Sequence, residues 1–254
     1  MPGSRKPARL FVDAPLEAAT LALDADQAHY LGRVLRCRAG EAIVVFNARG
    51  SERSAVIDSL GKSRPSITLG PAVAPLPEPA TPILLLQALV KSDAMDLIVQ
   101  KATELGVDTI YATRTEFGVV RLDTERSERR LGHWRRIAAS ACEQSGRHRP
   151  PRLHVFASLD EAIDAVPGGY EKTAFDVGAR EPLAPRGTPA PDGSSGLCLA
   201  VGPEGGFSPD EIELFKARGF GVRSLGPRIL RAETAAIAAL ACAQLIGGDL
   251  GARG

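Results

Sequence analysis

Leu197-Cys-Leu-Ala-Val-Gly-Pro-Glu-Gly-Gly-Phe-Ser208 decides the fold, together with Leu225-Gly-Pro-Arg-Ile-Leu-Arg-Ala-Glu-Thr-Ala235, which follows after one helical stretch. Each block is a short apolar run leading into a Gly/Pro loop and then a helix. Leu197 to Val201 is apolar throughout, the pattern of a parallel strand covered on both faces. Gly202, Gly205 and Gly206 let the backbone turn sharply and leave main chain bare for a ligand. Ser208, Pro209 and Glu211 read as N-cap, first helical residue and capping-box partner. Two such loops belong at one edge of a sheet, where small ligands sit in α/β folds.

The first loop is neither G-x-x-x-x-G-K-[ST] nor G-x-G-x-x-G, so the ordinary nucleotide fingerprints are absent. Glu204 within it would repel a phosphate and suit a cationic ligand. Taken alone, the loop reads equally well as a tight strand-to-helix turn without a ligand. The second block adds Arg228, Arg231 and Glu233 between a strand ending near Leu225 and an alanine-rich helix, Ala235 to Ile246, with Thr234 as a candidate cap.

The pair Gly202-Pro-Glu-Gly-Gly206 and Leu225-Gly-x-Arg-Ile-Leu-Arg-x-Glu-Thr-Ala235 resembles the ribosomal RNA small subunit methyltransferase E family, uridine-N3 methyltransferases of the SPOUT superfamily. Further matches follow in family order: His29-Tyr-Leu-Gly-Arg-Val-Leu-Arg36, Lys91 followed by Asp96 to Gly106, and Ala141-Cys-Glu-Gln-Ser-Gly-Arg147. Together they run from about residue 8 to Gly251. Three departures stand out: Phe117 follows Glu116 where many members have arginine, Gly247 stands in place of the more usual phenylalanine, and the loop before Leu197 is extended.

Length and composition fit such a protein. The chain has 254 residues, 44% of them hydrophobic, enough for one large domain or a small and a medium one. Met1 to Pro15 carries Arg5, Lys6 and Arg9 with no apolar stretch behind them, so no signal peptide is expected. No apolar run approaches the ~18 residues of a membrane span. Cys37, Cys142, Cys198 and Cys242 are scattered without a C-x-x-C pair, so neither a disulfide framework nor a metal site is expected, and a cytoplasmic location is.

The net charge is only +1, yet ten arginines face five acidic residues between Ala112 and Arg152, and His29 to Arg38 holds three arginines and no acid. Arginine outnumbers lysine 25 to 6, and its planar fork suits phosphates and bases. Around Arg126, Arg129, Arg130 and Arg136 the charges alternate with Asp123, Glu125 and Glu128, as on an ordinary solvated helix.

Along the chain, Ala8 to Val12, Glu41 to Asn47 and Ser54 to Leu60 read as strands, with a hairpin turn at Asn47-Ala-Arg-Gly50 and one helix from Asp24 to Leu35. This small β-rich domain, residues 1–72, precedes a proline-rich linker at 73–82; Pro71 to Pro82 holds five prolines. Beyond it strands and helices alternate, which predicts a mostly parallel sheet in a second domain, residues 83–254. The strands are Ile83 to Val90, Val107 to Ala112, Leu153 to Phe156 and Thr173 to Asp176. Ser92 is the expected cap of the first helix, which Gly106 closes; Asp123 or Thr124 opens the long one, and Leu159 to Val166 is a third. Glu181 to Gly196, with four prolines and three glycines, reads as an irregular loop.

The resemblance implies an α/β fold whose SPOUT-type parallel sheet ends in a C-terminal trefoil knot, preceded by a PUA-like RNA-binding β-barrel, in a homodimer. It implies S-adenosylmethionine (SAM) held by main chain at Gly202, Pro203, Glu204, Gly205 and Gly206. The second loop would add Leu225, Gly226, Ile229, Leu230, Arg231, Thr234 and Ala235, with Leu199 on the preceding strand and Asp176 on a third wall. The expected substrate is small-subunit ribosomal RNA, free or assembled. Methylating uridine N3 requires loss of its proton and an in-line approach to the sulfonium methyl, so the base must be single-stranded or extruded. Arg231 is the candidate to stabilise the uridine anion. Glu204 or Glu233 could accept the proton, with loop capping the alternative for each. Arg33, Arg36, Lys91, Arg121, Arg147 and Arg149 are the candidates for RNA phosphates. A reading of different class is an RNA-binding or assembly factor that keeps the scaffold without turnover; two intact loops favour the enzyme.

Overall fold

A computed structural model of the chain describes residues 7–61, 64–118, 124–183 and 196–250, with Thr124 described by its backbone. Arg121 and most of the irregular loop, residues 184–195, lie outside the described residues. The chain forms two units, Met1–Pro77 with Ala139–Pro150, and Glu78–Ala138 with Pro151–Gly254.

The first unit is built on a five-stranded sheet of β1 (Ala8–Phe11), β2 (Thr20–Ala22), β3 (Ala42–Phe46), β4 (Glu52–Ser59) and β5 (Ser66–Ala72), in the order β1-β3-β4-β5-β2. β1 and β3 pair in parallel and the remaining pairs are antiparallel. The β3–β4 turn is held by Asn47, whose Oδ1 accepts the amides of Arg49 and Ser51. Alternating residues Leu10, Ile43, Val45, Ile57 and Ile67 point into one core with Leu31.

Two strands here are absent from the sequence reading. β2 has only three residues, and β5 carries Pro71, the first residue of the proline-rich stretch that runs on into the linker. That proline is tolerated because β2 pairs only with Ser66 to Thr68, so β5 has no partner on that side at Pro71. The expected helix from Asp24 to Leu35 is also two structures. α1 (Ala25–His29) opens with a capping box of Asp24 and Gln27, then the spiral widens to a π-helix over Tyr30–Val34. Arg36 closes it with φ 57°, the left-handed region that L-residues seldom adopt. Glu143 accepts the Phe11 amide at 2.9 Å. Burial raises the pKa of Glu143, and burial reinforced by Glu143 pushes Tyr30 up to about 12.

The second unit is built on β6 (Ile83–Ala88), β7 (Thr109–Thr113), β8 (Arg152–Phe156), β9 (Tyr170–Phe175), β10 (Gly196–Val201) and β11 (Gly221–Arg223). Their order is β11-β9-β10-β6-β7-β8, and every pairing is parallel. All six residues of β6 and of β10 are buried, which explains the apolar runs Ile83 to Leu86 and Leu197 to Val201. Even-numbered Leu84, Leu86, Cys198 and Ala200 pack with α4 (Leu159–Asp164) and α5 (Pro209–Ala217). Odd-numbered Leu85, Leu197, Leu199 and Val201 pack with α2 (Ser92–Glu104), α3 (Thr124–Ser145) and α6 (Ala232–Gly247).

Two expected caps are displaced. Lys91, not Ser92, is the N-cap of α2, and its carbonyl accepts the Met95 amide at 2.9 Å. Arg231, not Thr234, is the N-cap of α6, because its carbonyl already accepts the Ala235 amide at 2.8 Å; Thr234 is the third residue of the helix.

Trp134 is 1% exposed on the α3 face of this core and donates its indole N–H to Asp96 at 3.2 Å. Trp134→Ala is expected to cost about 3–5 kcal/mol in denaturant unfolding, from lost burial and a residual cavity. Cys142 and Cys198 are buried, and burial pushes the Cys198 thiol up to about 12. A thiol reagent should therefore modify Cys37 and Cys242 alone in the folded protein and all four cysteines in denaturant, read by mass spectrometry of digested protein.

Candidate functional site

Because β9, β10 and β11 are parallel neighbours on one side of the sheet, the chain leaves their carboxyl ends at a common edge. A cleft of ≈ 250 Å³ lies there. One wall is Phe175, Asp176 and Val177 after β9, the second is Val201 to Gly206 after β10, and the third runs from Leu225 to Ala235 after β11.

The β10 loop is closed on itself. Gly206 donates its amide to the Pro203 carbonyl at 2.9 Å and has φ 74°. A Cβ on Gly202 would lie 3.2 Å and 3.3 Å from the main-chain carbon and Cα of Gly206, so a side chain there forces the loop backbone to shift by a few tenths of an ångström. Beyond the loop, Ser208 caps α5 in a full capping box with Glu211. The carboxylate of Glu211 also works outside its own helix: Oε2 accepts the Ser208 amide at 2.9 Å while Oε1 accepts the Glu116 amide at 2.8 Å. The β9 wall turns on Asp176, whose amide donates to the Arg223 carbonyl and whose carboxylate accepts the Gly178 amide. Arg223 in turn pairs with Glu181 at 2.7 Å.

The cleft carries two carboxylates, Asp176 and Glu204, one cation, Arg228, and apolar cover from Val177, Ile229 and Leu230. Such a mixture suits an amphipathic, partly cationic small molecule held mostly by main chain. Of the residues the sequence singles out, Asp176, Gly202, Pro203, Glu204, Gly205, Gly206, Leu225, Gly226, Ile229, Leu230 and Ala235 line it. Leu199, Arg231 and Thr234 do not. Leu199 lies on an odd position of β10 and is packed in the core at 4% exposure. Arg231 and Thr234 are exposed on the first turn of α6. Phe175, Val177, Val201, Arg228 and Ala232 line the cleft without having been assigned to it. Strand-end position was their signal, since each lies within two residues of one that was assigned.

Glu204 is therefore the one proton-acceptor candidate on the cleft wall, while Glu233 is half-buried in the first turn of α6. Among the candidates for RNA phosphates, Arg33, Arg36, Lys91 and Arg149 are exposed. Arg147 is not: it is 9% exposed, and its carbonyl accepts Arg9 at 3.0 Å, so the residue is built into the first unit. Among the described residues, no group of three His, Cys, Asp or Glu could hold a metal ion, and no helix is long and apolar enough to cross a membrane.

A family of RNA methyltransferase domains matches residues 77–244, and an RNA methyltransferase PUA domain matches residues 23–69. The chain is 30% identical over 245 residues to the ribosomal RNA small subunit methyltransferase E of Bacillus subtilis, covering 92% of this chain and 94% of that one. It is 31% identical to the protein of the same name from Mycobacterium tuberculosis, over 91% and 88% of the two chains. A ribosomal RNA small subunit methyltransferase E from Neisseria gonorrhoeae, solved bound to S-adenosyl methionine, superposes with a TM-score of 0.84 at 32% identity, over 96% of this chain and 99% of that one. A protein from Legionella pneumophila, solved with the cofactor SAM, gives a TM-score of 0.88 at 32% identity, over 97% and 100%. The fold is thus that of an RNA methyltransferase with a PUA-like N-terminal domain. Within that class the chain belongs to the ribosomal RNA small subunit methyltransferase E family.

Glu211 ties the loop after β7 to the start of α5 through two amides. Glu211→Ala is expected to destabilise the protein by about 1–2 kcal/mol and to speed hydrogen exchange at both Glu116 and Ser208. Exchange mapped by NMR checks this, and acceleration at Ser208 alone would show that the second bond is not made in solution.

Proposed function

We propose that this protein transfers the methyl group of S-adenosylmethionine to N3 of one uridine in the decoding region of small-subunit ribosomal RNA. The observation that carries the reading is the convergence of the β9, β10 and β11 loops on one main-chain-walled cleft. The residues present fit the cofactor: apolar Val177, Ile229 and Leu230 suit an adenine ring, and Asp176 and Glu204 suit its hydroxyl and cationic groups. When bound, it supplies an activated methyl group on a cationic sulfur.

The chain's own contribution is positioning and charge. The loop at Gly202 to Gly206 fixes one side of the ligand without rearrangement, because it is already closed by its internal hydrogen bond. Glu204 on the cleft wall, or Glu233 at the start of α6, accepts the uridine N3 proton. Arg231, exposed at the N-cap of α6 with no side-chain capping bond, stabilises the anion left on the base.

The remaining assignments belong to the same reading. Residues 1–72 form a PUA-like RNA-binding barrel, 73–82 a linker, and 83–254 the methyltransferase domain. Arg33, Arg36, Lys91 and Arg149, all exposed, take RNA phosphates. Insertion of β10 between β9 and β6, followed by return of the chain from edge strand β11 to α6 over the sheet centre, supports a trefoil knot. Exposed Leu245 on α6 supports a homodimer, and the protein works in the cytoplasm on ribosomal subunits.

Calorimetric titration with S-adenosylmethionine tests the site: the wild type should saturate, and Gly202→Ala should bind about tenfold more weakly or worse, since one displaced main-chain contact is worth about that factor. Arg231→Ala should retain cofactor binding and lose roughly 10²–10³-fold in kcat for tritiated methyl transfer to small subunits. Absence of binding by the folded wild type would favour an RNA-binding factor without turnover.

A further inference from the structure

Phe117 is a large apolar side chain left 47% exposed, and it sits on the glycine loop. A Cβ built on Gly205 would lie 3.0 Å from Phe117 Cβ and 3.7 Å from Cγ, so the root of the ring rests directly on bare main chain. The ring is held there. Glu116 is fastened through its amide to Glu211, and the turn closes with the Gly118 amide donating to the Thr115 carbonyl at 3.1 Å. The two bonds hold the backbone on both sides of the residue that carries the ring.

We propose that Phe117 is a stacking platform for an unpaired RNA base beside the methyl-donor loop; the proposal rests on the methyltransferase reading above. An aromatic face accepts any base, and stacking is the ordinary way proteins hold bases out of a duplex. Charge favours the base over the phosphate: Glu204 stands on the cleft wall next to the Gly205 beneath the ring. A phosphate is repelled in that setting and a neutral base is not.

The test uses the full-length protein and a labelled single-stranded oligouridylate of about ten nucleotides. F117A should weaken binding, read by fluorescence anisotropy, roughly 5- to 150-fold. F117W should bind within about threefold of the wild type, since an indole stacks at least as well. Trp134, the only tryptophan of the chain, is buried, so RNA should quench the added emission of F117W and leave that of the wild type unchanged. Equal losses of oligouridylate and S-adenosylmethionine affinity in F117A would mean that the ring only props the loop, and would overturn the proposal. So would unquenched F117W emission at saturating RNA, or a change in sedimentation mass of F117A, which would place a second copy of the chain on the ring. A wild type that binds cofactor but no oligouridylate overturns the platform alone, whereas one that binds neither removes the methyltransferase reading as well.

Discussion

Parallel pairing of β10 with β6 on one side and β9 on the other governs the second unit. Leu197 to Val201 is in register with Ile83 to Gln87 and with Glu171 to Phe175, so all three strands run out at the same level. The side chains of β10 alternate between two separate cores, and all six of its residues are buried. A strand so enclosed cannot slip by one residue without exchanging the contents of both cores. The common level of the strand ends, and hence the existence of a cleft, follows from that registration.

The cleft is a product of backbone more than of side-chain chemistry. Its two carboxylates and one arginine stand among glycines, a proline and aliphatic residues. Buried Gln87 reinforces the edge from below, donating from Nε2 to the Ala88 carbonyl at 3.0 Å. Glu211 reinforces it from the side by engaging two amides in two different segments. The polar groups around the cleft thus hold main chain in place, leaving other main-chain groups to face a ligand.

Much of this was legible in the sequence. The unbroken apolar run at Leu197 to Val201, the Ser208-Pro209-Glu211 signature and the 3.6-residue stripe of Met95, Ile98, Val99 and Ala102 each specify their element locally. What escaped depended on partners far along the chain. Thr20–Ala22 is a strand only because Ser66 to Thr68 lies beside it, and Pro71 is tolerated in β5 because β4 flanks it on one side while β2 does not reach it on the other. Thr234 is a plausible cap by residue type, yet the helix starts three residues earlier, where the Arg231 carbonyl takes the first bond. In the site, motif position identified most of the wall but not which residues of a motif face inward. Leu199 points into the core by strand alternation, and Arg231 is exposed at the N-cap of α6, beside the cleft lining and not part of it. The burial of Arg147 could not be read from charge clustering, since clustering says nothing of depth.

The closed β10 loop has a consequence for the balance of forces in binding. Gly206 lies so near Gly202 that a Cβ on Gly202 would crowd its main chain, and the Gly206–Pro203 bond is already made. The conformational freedom of these residues is therefore lost when the chain folds, not when a ligand arrives. The opposite wall differs, for Gly226 to Ile229 is exposed and Ile229 stands 86% in solvent. Affinity on the first side comes from main-chain contact; on the second it also comes from covering exposed apolar surface, so the heat-capacity change of binding should trace to that wall.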